Sequence, residues 1–301
     1  MAQPMALLRM PSRSAVALGA VGVGAATCLG CYLAPEPEPE SEPEPEPGLP
    51  PLPESAGPRT LRPAQVDMRA PEAEIRQALR AALTGTLTPM LALRNHGCEA
   101  LCAEMAARAR EHHATASMSD LQRACDLDGP LAPLADSARE QLTDLTYRVL
   151  GILVEGDPRT TAGLGRLEGR LCLRAYPKQQ EQTVRLGAHC DATLLTLLWS
   201  DAPGLEVMDD RTLTLDWDPS DVMSYGLPSM AGAPKILRDD QWAQVDLPWA
   251  DGCLLLTVGT AWMDCAEQAK LPPARSAVLH RVVTLRDVER VSLPFLVDRV
   301  P

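Results

Sequence analysis

From residue 171 to its C-terminus the chain reads as short β-prone runs, at 171–176, 183–189, 193–199, 204–208, 244–248, 253–258, 279–285 and 290–297. Runs of this length, rich in Leu, Val and Thr and separated by turn residues, are strands and not helices. So many short strands in succession must close into a barrel or pack as two sheets, because an open sheet of that composition leaves apolar faces and edges exposed. Upstream the period changes. Ile75, Leu79, Ala82 and Leu83 share one helical face over 71–83, and Leu101, Cys102, Met105 and Ala106 another over 98–114. Leu142, Leu145, Val149 and Ile152 do so over 137–154, and a short strand runs into Asn95-His96-Gly97. Helices first and strands afterwards predict a mainly β fold with flanking helices: a jelly-roll core at 171–301 preceded by a helical part at 60–170.

The first sixty residues do not belong to that plan. Residues 35–59, dominated by alternating Pro and Glu, lack a hydrogen-bonding pattern for helix or central strand and have nothing to bury. They read as an extended, self-repelling spacer. Before them, residues 1–34 form a targeting or anchoring segment. Residues 15–34 make an uncharged run long enough to span a bilayer as a helix, although Ala and Gly dominate it. An endomembrane signal anchor is the favoured reading. A cleaved secretory signal, or an Arg- and Ser-rich transit peptide removed in an organelle, are the alternatives.

Charge argues against nucleic acid. The net charge of −12 includes seven glutamates between Glu36 and Glu54; the rest of the chain carries −5 and has no basic stripe to track phosphates. The nine cysteines include one C-x-x-C, at Cys28 and Cys31, without a second ligand pair, which argues against a zinc site. Cys98 and Cys102, four apart on a helix, read as buried free thiols. The glycine-rich 163–169 has the wrong spacing for a dinucleotide loop.

The residues that carry chemistry lie in the strand-rich part. His189-Cys190-Asp191 sits in the apolar run "TVRLGAHCDATLLTLLW", His280 opens "HRVVTLRDVERVSLPFLV", and Arg290 and Ser292 follow it. Two imidazoles and a carboxylate form a facial set for non-haem Fe(II) that leaves coordination positions open. Residues i and i+2 share a strand face, so His189 and Asp191 can reach one metal, and Arg290 and Ser292 one anion. An H-x-D tripeptide alone is common by chance. The conjunction with a distant His and an R-x-S is not.

That conjunction resembles the 2-oxoglutarate/Fe(II) dioxygenases of the isopenicillin N synthase-like family. "LGAHCDATLLTLL…GLEV", "LLLTVG", "HRVV" and "RVSLPFLV" match its text, as do "LALRNHGC" at 91–98 and "LCLRAYP" at 171–177. The resemblance spans about residue 60 to the C-terminus. It implies a double-stranded β-helix, Fe(II) held by His189, Asp191 and His280, and the co-substrate 2-oxoglutarate bound by Arg290, Ser292 and Tyr176. It further implies hydroxylation or desaturation of a small organic substrate with O2, releasing succinate and CO2. Two other readings stand: an iron oxidase of the same fold in which Arg290 holds a substrate carboxylate, and a non-catalytic jelly-roll binding domain tethered to a membrane. The chain departs from the family pattern in three places: Arg174 replaces the usual Asn, residues 209–243 form an insertion that includes Trp217, Tyr225 and Trp242, and "MDCAEQAKLPPARSAVL" replaces a T-N-G segment. The last two border the substrate mouth in that family.

Overall fold

A computed structural model describes residues 59–86, 88–113, 131–208 and 242–300, all within one unit spanning Pro53–Pro301. The anchor and spacer assigned to residues 1–58, and residues 209–241 of the insertion, lie outside the described residues.

The larger sheet runs in the order β2 (Ala64–Asp67), β3 (Met90–Arg94), β10 (Leu254–Val258), β7 (Leu195–Ser200), β12 (Arg290–Val300), β4 (Arg166–Leu171). The short β5 (Arg174–Tyr176) pairs with the first residues of β12. The smaller sheet runs β1 (Arg59–Leu61), β9 (Trp242–Val245), β8 (Leu205–Met208), β11 (His280–Thr284), β6 (Thr183–His189). Helices α1 (Glu72–Gly85), α2 (Glu99–His113) and α3 (Ala132–Val154) cover the outside of the larger sheet, and the short α4 (Thr260–Cys265) follows β10.

The two-residue period of the strands sorts side chains between two environments. Leu195, Leu197 and Trp199 of β7, Leu254, Leu256 and Val258 of β10, and Val291, Leu293, Phe295 and Val297 of β12 join the helices in the main core. Fully burying one such side chain contributes about 1.5–3 kcal/mol, so this layer fastens the helices to the sheet. The alternate residues, Thr196 and Leu198 of β7, Thr257 of β10, and Arg290, Ser292, Pro294 and Leu296 of β12, face the interior between the sheets. A sheet covered on both faces explains why its strands read as nearly unbroken apolar runs.

Four sequence expectations are corrected. The part read as helical, 60–170, holds β2 and β4 besides the expected strand before Asn95, β3, and β1 begins at its edge. β1 and β2 are three and four residues long and largely polar, and they pair in parallel with β9 and β3, so no alternation announces them. Trp242 and Ala243 belong to β9, not to the insertion 209–243, and Trp242 is buried beside Met208, Ala277 and Leu279. The stretch 260–279 reaches the cavity described below only through Val278. Trp262, Cys265, Ala269, Leu271 and Ala274 pack into the main core, and the Trp262 indole N–H donates to the Pro272 carbonyl at 3.0 Å. β6 ends at His189, so Asp191 lies beyond the strand.

Cys98 and Cys102 are free and buried, their thiols pushed up to about 11 and about 12 first by burial. Among the described residues no helix is long and apolar enough to cross a membrane.

Candidate metal and co-substrate site

β6 and β11 pair in antiparallel fashion with His189 directly opposite His280. The ring centroids are 4.2 Å apart. The two Nε2 atoms lie 3.7 Å and 4.0 Å from Asp191 Oδ1, and one ligand atom from each of the three residues falls within 4.8 Å of the others. Among the described residues this is the one group of three such side chains able to hold a metal ion.

Each ligand atom is aimed by a partner. His189 Nδ1 lies 2.8 Å from the Gly187 carbonyl oxygen, and His280 Nδ1 lies 3.0 Å from that of Val278. A carbonyl only accepts, so the proton of each neutral ring sits on Nδ1 and the Nε2 lone pair points to the centre. Asp191 Oδ2 accepts from the Thr196 hydroxyl at 2.6 Å, which leaves Oδ1 toward the histidines. Burial, reinforced by His280, pushes His189 down to about 4, so the ring is neutral and able to ligate at neutral pH. Burial alone would raise Asp191, but His280, the Thr196 hydroxyl and His189 outweigh it and hold the carboxyl below its usual range.

Asp191 sits in the turn between β6 and β7, and that turn is gripped from behind. The Thr260 N–H donates to the Asp191 carbonyl at 2.9 Å. A Cβ on Gly259 would lie 2.1 Å from the Thr193 carbonyl oxygen and 2.6 Å from that of Asp191. The backbone at Gly259 is ordinary extended chain, so glycine is required here for space. Cys190 points away from the centre into the small cluster with Met208 and Trp242.

Arg290 lies on the inner face of β12 and is 2% exposed. Its Nε donates to Ser200 Oγ at 3.0 Å, while Ser200 donates to the Ala202 carbonyl at 2.8 Å. Nη1 is buried with no hydrogen-bond partner in the protein. Burial lowers the Arg290 pKa, partly opposed by Tyr176, whose ring centroid is 5.2 Å from the guanidinium carbon. Register places Tyr176 opposite Arg290 and Arg174 opposite Ser292. All four line one cavity of about 340 Å³ together with His189, Asp191 and His280.

The structure thus brings together every residue assigned from the sequence: His189, Asp191 and His280 at one end, Arg290, Ser292 and Tyr176 on the wall. It adds Thr196 and Ser200, whose hydroxyls orient the carboxylate and the guanidinium. Their signal was a hydroxyl on the inward face of an otherwise apolar strand. His96, of the Asn-His-Gly stretch, is structural. Its Nδ1 accepts from the Cys98 N–H at 3.1 Å and its Nε2 pairs with the Gly252 carbonyl at 2.8 Å.

No protein-family model matches the sequence, and a search of curated proteins returns no relative. Solved structures do match. The chain superposes on JOX2 in complex with 2OG, Fe and JA with a TM-score of 0.57 at 16% identity, over 85% of this chain and 81% of that one. A 2OG-Fe(II) oxygenase family protein from Caulobacter crescentus matches at 0.54 and 17%, covering 79% and 87%. An oxygenase structure from Shewanella oneidensis matches at 0.53 and 16%, covering 80% and 91%. At these identities the likeness establishes the fold: the jelly roll is the double-stranded β-helix of the 2-oxoglutarate/Fe(II) oxygenases.

Proposed function

We propose that this protein is an Fe(II)- and 2-oxoglutarate-dependent oxygenase that hydroxylates or desaturates a small organic substrate, releasing succinate and CO2. The observation that carries this reading is Arg290. A buried guanidinium with an unpartnered Nη1 is costly to maintain. It shares a cavity with a His-Asp-His set whose free ligand atoms converge. A carboxylate at one end and a metal chelate at the other satisfy both demands in one molecule.

His189, Asp191 and His280 would hold the iron and leave its remaining positions open. When bound, iron and 2-oxoglutarate supply the O2-dependent oxidation of a C–H bond. Arg290, Ser292 and Tyr176 would bind the far carboxylate of the co-substrate, with Ser200 keeping the guanidinium fork in plane. Leu186, Leu198, Leu205, Val278 and Val282 form an apolar wall that excludes water from the reacting centre. The 2OG and Fe named for JOX2 are consistent with this set of residues.

The test is 2-oxoglutarate affinity, read from the charge-transfer band of the anaerobic Fe(II) complex. Arg290→Lys keeps the charge and loses the fork. Losing one hydrogen bond to a charged group costs about 1.5–3 kcal/mol, or roughly ten- to a hundredfold in affinity. Iron affinity should stay unchanged. No band in the wild type would favour the iron oxidase reading, in which Arg290 holds a substrate carboxylate. For the N-terminus, we take residues 15–34 as a membrane anchor on composition alone. Recovery of the full chain in the soluble fraction would reject it.

A further inference from the structure

Resting on that reading, we infer that the substrate is a carboxylate with an apolar body, recognised by Arg170 and Arg174. The cavity wall holds three arginines, Arg170, Arg174 and Arg290, against one carboxylate, Asp191. Iron, Asp191 and Arg290 together carry two positive charges, which the two carboxylates of 2-oxoglutarate neutralise. Arg170 and Arg174 are left over. Neither takes part in an ion pair or a side-chain hydrogen bond among the described residues, although most of the other arginines there do. The nearest acids on the same face stand one step further out at the mouth. Of these, Glu168 pairs with Arg166, and Asp298 is opposite Glu168 in register.

Position supports a role toward the substrate. On β12 the inward residues run outward from Arg290 through Ser292 and Pro294 to Leu296. Arg174 is opposite Ser292, and Arg170 is opposite Leu296. Leu296 is in turn opposite Thr196, whose hydroxyl holds Asp191, so Arg170 stands at the level of the metal end. Between the two arginines the wall is Cys172, Pro294 and Leu198, apolar and close to the centre. A guanidinium forks onto a carboxylate with two parallel bonds, and the low-dielectric wall strengthens that pairing at half-buried Arg174, while Arg170 is exposed at the outer end. A ligand with an anionic group on the arginines and its alkyl or aryl body on the leucines would satisfy this surface.

The test uses the full-length protein as its anaerobic Fe(II)·2-oxoglutarate complex, titrated calorimetrically with octanoate, phenylacetate and cyclohexanecarboxylate and with the amide of each. At least one carboxylate should bind, at least tenfold tighter than its amide. Arg170→Gln and Arg174→Gln should each weaken it tenfold or more, leaving amide binding and the charge-transfer titration of 2-oxoglutarate unchanged. Equal binding of acid and amide overturns the inference. So does carboxylate binding that survives the double substitution, or a panel in which no carboxylate binds. Weaker 2-oxoglutarate binding in Arg174→Gln would assign that residue to the co-substrate and overturn the pair. A wild type without a charge-transfer band fails the co-substrate reading instead, and the acid–amide comparison is then decided on the iron-loaded protein.

Discussion

Thr196→Val removes one hydroxyl from behind the metal centre and almost nothing else. The side chain is 4% exposed and faces the interior of the larger sheet, where valine has the same shape. What is lost is the 2.6 Å hydrogen bond to Asp191 Oδ2. The second contact of that hydroxyl, to Thr193 Oγ1 at 3.3 Å, is long and neutral. A hydrogen bond to a charged group is worth about 1.5–3 kcal/mol. At 1.4 kcal/mol per decade this is roughly ten- to a hundredfold in affinity, in line with the loss that follows removal of an outer partner at other metal sites. Two effects combine: the carboxylate rotates more freely, and its pKa rises because the Thr196 hydroxyl no longer favours the charged form. The assay is anaerobic competition for Fe(II) against a chromophoric chelator, with thermal melting of the metal-free protein as the check on folding. Thr196→Ser keeps the hydroxyl and should recover most of the affinity. Wild-type iron affinity in a well-folded Thr196→Val protein would refute the idea that this bond positions the ligand.

His189→Ala, Asp191→Ala and His280→Ala should each abolish stoichiometric Fe(II) binding and 2-oxoglutarate-dependent succinate release while far-ultraviolet circular dichroism stays native; full binding in any of them removes that residue from the centre. Gly259→Ala drives a methyl group into the Thr193 and Asp191 carbonyls, so it should cost about 1–3 kcal/mol of stability and weaken iron binding together with it. An unchanged melting temperature would show that the turn yields freely. Burial holds His96 below the ordinary value of 6.5, outweighing the Gly252 carbonyl and Glu99, which favour the charged ring. The unfolded chain therefore takes up this proton first. The stability contribution is present above about 6.5 and is lost as pH falls through the lower folded value. His96→Gln should flatten the dependence of melting temperature on pH between neutral and mildly acid conditions, and parallel slopes for the two proteins would contradict it.

Local pattern was enough to read the order of helices and strands and the chemical identity of the ligands. Period 3.6 in 71–83, 98–114 and 137–154 and short apolar runs after 171 are properties of neighbouring residues, and the inward-facing R-x-S of β12 follows from its two-residue repeat. Distance along the chain hid the rest. That His189 faces His280 across two strands, and Tyr176 faces Arg290, is a matter of register. Register between segments about a hundred residues apart is set by how two sheets bury their faces, which no window of sequence contains. Asp191 leaves the strand and still reaches the centre because a turn, pressed against Gly259, carries it there. The polar edge strands β1 and β2 exist because β9 and β3 offer them unpaired backbone, not because their own residues favour extension. The charge imbalance in the cavity was equally invisible. Arg290 stands out through its R-x-S and Arg174 through the Asn it replaces, but Arg170 carries no signal, and only the folded wall gathers the three around a single carboxylate.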